Sequence, residues 1–554
     1  MRIKENISLN WSKEIPSDSQ VRDALGIWTK HLKIQEDFTP GITSVTRRIR
    51  YYTLLAWYWE NLYPGKIINL TDYEKIFILT CLAHHDGDYN DPRLSYVFNK
   101  QAFKGKWNET RNLNLNFKIN GFGRIYYTRQ LEILKCAWTD MLNRPHTSLI
   151  NKKLASSLDT VPIEIFKKKS FTKEELKREL ANFCICNTEH NEKEKEIMSK
   201  LLFGFFTNRN GEWDIDEEEY NLFMKGGIEL DFKEKLPIAS DPEYTRQLNL
   251  RRRNTLFMFL KIIKETTPPI QEFRRYIWDA IYFKQNRGNH KYIEFEKLEK
   301  IRRYWEYFQL NVYYVYALEK LLDIIQKIVA NNNGIRKQKI LSILNNDAFY
   351  EYLSKRLKHA ITPDSKISDI IYCIEKLNKN KRTSLDSKIN ESQTYDSISV
   401  NANLLEIQLA NILIMLCLLY NRYSITPEVV RKYISVNEGE LAFDPLVIHN
   451  VFTGIEKCGR EKNVFEYLTD LAIKIINKHL FEAARRLSWG TRNWIFTEED
   501  ERLFFARREY VLFQPRDNRW LSIKSLLKDL QFIEEKDSKI VLTEKGQKWL
   551  SKIE

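Results

Sequence analysis

At 554 residues the chain is too long for one ordinary hydrophobic core, and its 43% apolar content with 28 Tyr, 30 Phe and 13 Trp excludes disorder as the default state. The 88 Lys and Arg against 74 Asp and Glu leave a formal charge of +14, which argues for a polyanionic partner, with lysine loading by an AT-rich genome as the plain alternative. Seven scattered cysteines, a polar N-terminus without a secretory leader, and no apolar stretch longer than 412–420 argue against a disulfide framework, secretion and a membrane span, and predict a cytoplasmic protein.

Residues 1–150 read as an N-terminal helical domain. A helix is expected near 18–32, then a turn at Pro40-Gly41 and a strongly apolar helix over 44–62. The head of that helix carries Arg47, Arg48 and Arg50 beside Tyr51 and Tyr52, a pairing of guanidinium and ring that suits phosphate contact and base stacking. The alternative is a solvated arginine edge on a core helix. Cations at a helix start oppose the macrodipole, so a local anion or acid partner would relieve a real cost.

The pattern Asp23-Ala24-Leu25-Gly26-Ile27, Pro40-Gly41-Ile42-Thr43 and Thr46-Arg47-Arg48-Ile49-Arg50-Tyr51-Tyr52, with Trp57 beyond it, resembles the opening of helix-rich prokaryotic proteins encoded in multi-gene anti-phage defence or mobile-element operons. The resemblance spans about sixty residues and implies a large helical component working beside an ATPase or nuclease subunit. It assigns no catalytic residue.

A helix over 72–84 should end at the turn-rich run His84-His85-Asp86-Gly87-Asp88-Tyr89-Asn90-Asp91. Two imidazoles and three carboxylates there offer divalent-metal ligands, but the other histidines show no matching spacing, and a helix end with an acidic turn explains the run equally well. After Gly121-Phe122-Gly123, residues 125–134 return to helix or to a small helix-turn-helix.

Residues 151–240 form a mixed, less regular segment that holds the basic Lys167-Lys168-Lys169, with strands and loops expected around Gly211 and Gly226-Gly227. Cys184-Ile185-Cys186 with His190 is at most half of a zinc site, lacking the second ligand pair. Asp214, Asp216, Asp231 and Lys233 have the look of a restriction-type nuclease core, in which carboxylates hold a metal and a lysine steadies the attacking water. Charge alternation on exposed strands gives the same pattern.

Residues 241–490 read as a helical body, with long helices over 295–330, 402–420 and 464–487 and a polar, exposed linker at 378–399. Basic clusters recur at Arg251-Arg252-Arg253, Arg274-Arg275, Arg302-Arg303, Arg485-Arg486 with Arg492, and Arg507-Arg508 with Arg516. No P-loop, dinucleotide-binding or nucleophile-elbow motif is present in the sequence.

The C-terminal residues 491–554 end in a helix from Trp520, a charged turn with a short β-branched strand, and a closing helix that starts at Thr543 as N-cap. In that order they resemble the second half of a winged helix. The expectation is therefore a mainly α, multidomain helical protein with a C-terminal winged helix. Its expected role is a non-catalytic nucleic-acid-binding or adaptor subunit of a prokaryotic anti-phage defence complex, partnered by nucleic acid, DNA before RNA, and by proteins such as an ATPase or nuclease subunit. Arg519, Lys524, Lys528, Lys536 and Lys539 would meet phosphate on one surface, and Arg47, Arg48 and Arg50 on a second. No catalytic residue, metal or cofactor is assigned. The alternatives are a metal-dependent nuclease and a protein-only scaffold.

Overall fold

The computed structural model describes residues 23–27, 34–103, 107, 112–119, 121, 127–139, 145–158, 161–239, 241–332, 334–401, 404–435, 444–458, 462–487, 494–507, 509–511, 513 and 519–554. Among them the chain is mainly helical, with five small antiparallel sheets of two or three strands. It divides into two compact units: a first of Met1–Ile34, Trp278–Tyr292 and Arg303–Arg516, and a second of Gln35–Ile277, Ile293–Arg302 and Asp517–Glu554. The division is discontinuous in sequence: the last 38 residues belong to the same unit as Gln35–Ile277.

The first unit is organised on the Leu405–Ser424 helix, whose side chains from Leu409 to Leu419 are almost completely enclosed. This helix is long and apolar enough to cross a membrane, yet 78% of its most apolar window is buried inside the protein. Helices Asp347–Leu357, Ile367–Asn378 and Glu391–Val400 pack against it. The stretch 378–399, expected as an exposed linker, is instead tied down. Asn378 bonds both ways to the backbone of Ile389, Asn390 accepts from Gln393 N as a helix cap, and Glu391 is fully buried. Several of its polar residues serve caps and ion pairs, while Lys379, Asn380, Lys381 and Lys388 stay exposed.

Of the expected helix over 18–32, only 23–27 is described, and those residues turn, with Gly26 at φ +64°. That turn lies against the Val464–Leu487 helix, where His479 is wholly buried. Its Nδ1 donates to Ala24 O at 3.2 Å and its Nε2 accepts from Ile495 N at 3.0 Å, which fixes the neutral tautomer. Burial pushes the imidazole down to about 4. A His depressed on folding favours the native state fully above its unfolded value of about 6.5, and that contribution disappears as pH falls from there to about 4, roughly 3 kcal/mol in all. Urea unfolding across that window is expected to fall more steeply for the wild type than for His479→Gln; parallel curves would exclude this coupling.

In the second unit, the Arg50–Asn61 helix packs on Leu149–Ala155, and Leu70–His84 on Lys173–Glu179. The segment 151–240 is mixed: around Gly211 the strands Phe206–Arg209 and Glu212–Ile215 pair and 227–239 forms no helix or strand, while helices Lys173–Glu179, Glu192–Leu202 and Glu217–Met224, which were not expected, start at Thr172, Asn191 and Asp216 as N-caps. The C-terminal elements follow the expected order: helix Trp520–Asp529, an antiparallel pair pairing Ile533 with Leu542 and Lys536 with Lys539, and helix Glu544–Leu550 capped by Thr543. The hairpin continues onto Pro268 and Ile270, whose backbone bonds Ile540 N and Ser538 O. Gly546 is required because a Cβ there would stand 2.1 Å from Phe532 O. Gly546→Ala should therefore cost about 1–3 kcal/mol through overpacking, seen as a lower urea midpoint at unchanged slope.

Candidate functional site

The Leu70–His84 helix begins at Asn69, which accepts from Asp72 N, and buries nearly every side chain from Ile76 to Ala83. It ends in a left-handed reversal: Asp86 and Gly87 take φ of 50° and 78°, and Gly87 N returns to Leu82 O at 2.8 Å. The reversal sets His84 and His85 at the helix end. His85 Nδ1 donates to Asp91 Oδ2 at 2.6 Å, which leaves Nε2 as a lone pair; that atom is buried and makes no hydrogen bond of normal geometry among the described residues. Arg93 and His85 together hold the Asp91 carboxylate well below its usual range.

Opposite lies the turn of 184–190. Cys186 Sγ stands 3.2 Å from His84 Nδ1 and 3.4 Å from Cys184 Sγ. One donor atom from each of His84, His85, Cys184 and Cys186 lies within 4.8 Å of all the others, the only such grouping of three or more His, Cys or carboxylate donors among the described residues. The Cys186 thiol is raised by its Cys184 neighbour and by burial; for Cys184, Cys186 pulls the value down but Cys81 and burial outweigh it. The two halves stand apart in the sequence, His84-His85 at a helix end and Cys184-Ile185-Cys186 in the mixed segment. His190 is not the partner of the cysteines; the pair His84-His85, about a hundred residues upstream, takes that place.

The arginines expected on a nucleic-acid surface hold this turn in place. Arg48 Nη2 donates to Ile185 O at 3.2 Å, and Arg50 donates to Asn182 O at 2.7 Å and Thr188 Oγ1 at 3.3 Å. Arg50 also pairs with the buried Glu194 at 2.9 Å. Arg48 Nε and Ile49 N both donate to Asp529 Oδ2 at 3.0 Å, so the acid required at this helix start comes from the C-terminal segment. Arg47 lies over the Tyr96 ring at 4.8 Å. Arg519 donates to Gln35 O and Thr39 O, and burial pushes it down to about 10. Arg50 and Arg519 are therefore interior, and their placement on a phosphate-contacting surface is corrected, since their donors go to groups of the chain itself; Arg48, 8% exposed, is tied to Asp529 and Ile185 O in the same way and keeps only an edge on an adjoining cavity.

Lys524 and Lys528 both pair with Glu535, at 3.0 and 2.7 Å. They line a cavity of about 910 Å³ with Arg48 and Arg93, but Asp529, Glu534 and Glu535 line it too, so its charge is mixed. Lys536 and Lys539 are exposed on the hairpin. Arg251, Arg252 and Arg253 are likewise buried: Arg252 and Arg253 bond the carbonyls of Leu201, Leu202, Phe203 and Gly204 at the end of Glu192–Leu202, where the helix dipole favours cations. Arg492, Arg508 and Arg516 lie outside the described residues.

The nuclease constellation is not assembled. Asp214 pairs with Lys153 at 2.6 Å, Asp216 caps Glu217–Met224, Asp231 pairs with Lys300 at 2.9 Å, and Lys233 lies 3.6 Å from Glu243. Each acid is engaged by a different neighbour, and none of them joins a group of three potential metal donors among the described residues. No protein-family model, curated protein or solved structure matches this chain.

Proposed function

We propose that this protein is a non-catalytic adaptor, a helical scaffold that holds protein partners together within a prokaryotic anti-phage defence assembly in the cytoplasm. The observation that carries this reading is the burial of the arginine clusters: Arg48, Arg50, Arg251, Arg252, Arg253 and Arg519 are all at most 9% exposed and bonded within their own chain. These six of the 88 cations, which included the most suggestive clusters, thus serve internal packing. In this reading the C-terminal helix, hairpin and helix are a winged helix used for internal docking, since the end of Trp520–Asp529 is occupied by Arg48 and Ile49. An ATPase or nuclease subunit is the partner that the N-terminal resemblance suggests, and the exposed Val400 and Leu404, at 83% and 52%, are apolar side chains available for contact.

A second reading, nucleic-acid binding at the hairpin, is favoured by the exposed Lys536, Lys539 and Lys548. Fluorescence anisotropy with labelled DNA over a salt series separates the two. The adaptor is expected to bind weakly with a shallow salt slope. A steep slope that loses about two units in Lys536→Ala/Lys539→Ala would establish the hairpin as a phosphate-binding surface and reject the protein-only reading.

A further inference from the structure

We propose that His84, His85, Cys184 and Cys186 bind a single zinc ion in a closed tetrahedral site that fastens the end of the Leu70–His84 helix to the turn of 184–190. The donor set is two imidazoles and two thiols, the combination a borderline-soft d¹⁰ cation takes. A tetrahedral zinc with Zn–S of about 2.3 Å and Zn–N of about 2.0–2.1 Å sets its donors roughly 3.4–3.8 Å apart. The separations of 3.2 Å from Cys186 to His84 and 3.4 Å between the sulfurs lie at or just below that spacing and all four donors lie within 4.8 Å of one another, so side-chain adjustments of up to about an ångström, outward for the close pairs and inward for the wide ones, admit the ion.

A second, independent feature points to a cation. His85 is only 6% exposed, its Nδ1 is spent on Asp91, and its buried Nε2 makes no hydrogen bond of normal geometry among the described residues, the Cys186 thiol interacting with the same imidazole across the cluster. Such an acceptor is costly without a donor or a metal. A carboxylate behind a histidine is also the outer-sphere arrangement that orients a ligating imidazole and raises its basicity. The arginine bonds to Asn182, Ile185 and Thr188 fix the cysteine turn before any ion arrives.

Four protein donors leave no position for water or substrate, so the zinc is structural. It closes a loop of about a hundred chain positions that no disulfide closes among the described residues.

The test is elemental analysis and Co²⁺ substitution of the full chain purified under reducing conditions without chelator. One zinc per chain, replaced by Co²⁺ with the visible bands of tetrahedral geometry and a thiolate charge-transfer band, is expected. Cys184→Ser and Cys186→Ser should lose the metal, while Cys81→Ser, whose sulfur neighbours Cys184 but lies outside the donor group, should keep it. Absence of stoichiometric uptake by the metal-free chain, an octahedral Co²⁺ spectrum, or a Cys184–Cys186 disulfide in the freshly purified protein would overturn the proposal. Loss of metal in Cys81→Ser would overturn the ligand assignment. Should a serine variant fail to fold, the Co²⁺ spectrum of the wild type decides alone.

Discussion

Arg422→Met should destabilise the first unit by roughly 3–5 kcal/mol, because it removes one side of a buried ion network and leaves the other side in place. Arg422 uses all five of its N–H donors: Nε to Glu391 at 3.0 Å, Nη1 to Glu306 at 2.7 Å and Tyr282 O at 3.0 Å, and Nη2 to Thr383 O and Oγ1 at 3.0 and 2.8 Å. Its guanidinium also lies 3.9 Å from the centre of the Tyr282 ring. Burial alone would depress it, but Glu391, Tyr282 and Glu306 hold it above its ordinary value. Methionine fills the space and keeps the contact with Tyr282, so the loss reports the carboxylates. Arg382, whose side chain is 43% exposed, remains on Glu306, but Glu391 at 0% has no other cation among the described residues. Arg422→Lys should recover only part of the loss, since an ammonium cannot reproduce a planar fork. Urea unfolding followed by tryptophan fluorescence measures both variants. A methionine variant within 0.5 kcal/mol of the wild type would mean that the network is neutral on balance, as isosteric replacements of buried ion pairs sometimes are.

That network explains why 378–399 misleads a reader of the sequence. Ser, Asn and Lys in succession ordinarily announce a solvated linker, and nothing local reveals that Glu391 belongs to an arginine thirty-one positions later. The long periodic helices were legible because their signal is local. The Val464–Leu487 helix has the bounds that its apolar spacing predicts, and the expected 295–330 becomes Glu299–Ala330. The helices of 173–224 were not legible, because they are short and bury charged as well as apolar residues; Glu194, Lys195 and Lys200 of Glu192–Leu202 are all enclosed. An apolar stripe broken by buried charge does not read as a helix.

The candidate site divides the same way. His84-His85 at a helix end and Cys184-Ile185-Cys186 were each visible as half of something, and each was discounted for lack of a second half. Zinc motifs are recognised when all ligands fall within a few dozen residues, and here contact between Leu70–His84 and the segment after 173 must be known before the halves meet. The arginines failed for another reason. Net charge counts cations without saying which ones face water. The available signal was their setting, since Arg47 to Arg50 and Arg251 to Arg253 both run straight into apolar, aromatic helical sequence.

Asp529→Ala is expected to cost the second unit roughly 3–5 kcal/mol, although the residue lies near the end of the chain. Its carboxylate is the acid that the Arg50–Asn61 helix lacks: that helix has no acidic residue in its first turn and no side-chain cap of its own, while Arg48 and Arg50 bring two cations to its positive end. Asp529 Oδ2 accepts from both Ile49 N and Arg48 Nε, doing the work of an N-cap and a counter-ion from 480 residues away. Burial raises the carboxyl and Arg48 opposes that rise, so the pair stands or falls together. Alanine leaves Arg48 enclosed without a carboxylate and the helix start uncapped. Asp529→Asn keeps an acceptor for Ile49 N and should lose less. A double-mutant cycle with Arg48→Met should return a coupling of about 1–3 kcal/mol, the range for groups in direct contact. Because Arg48 also holds Ile185 O, the effect should reach the cysteine turn: amide exchange at Cys184 to Thr188 is expected to quicken in Asp529→Ala and not in Lys528→Ala, whose partner Glu535 lies on the exposed side. Additive single losses, or exchange unchanged at 184–188, would mean that the C-terminal helix packs beside the arginines without holding them.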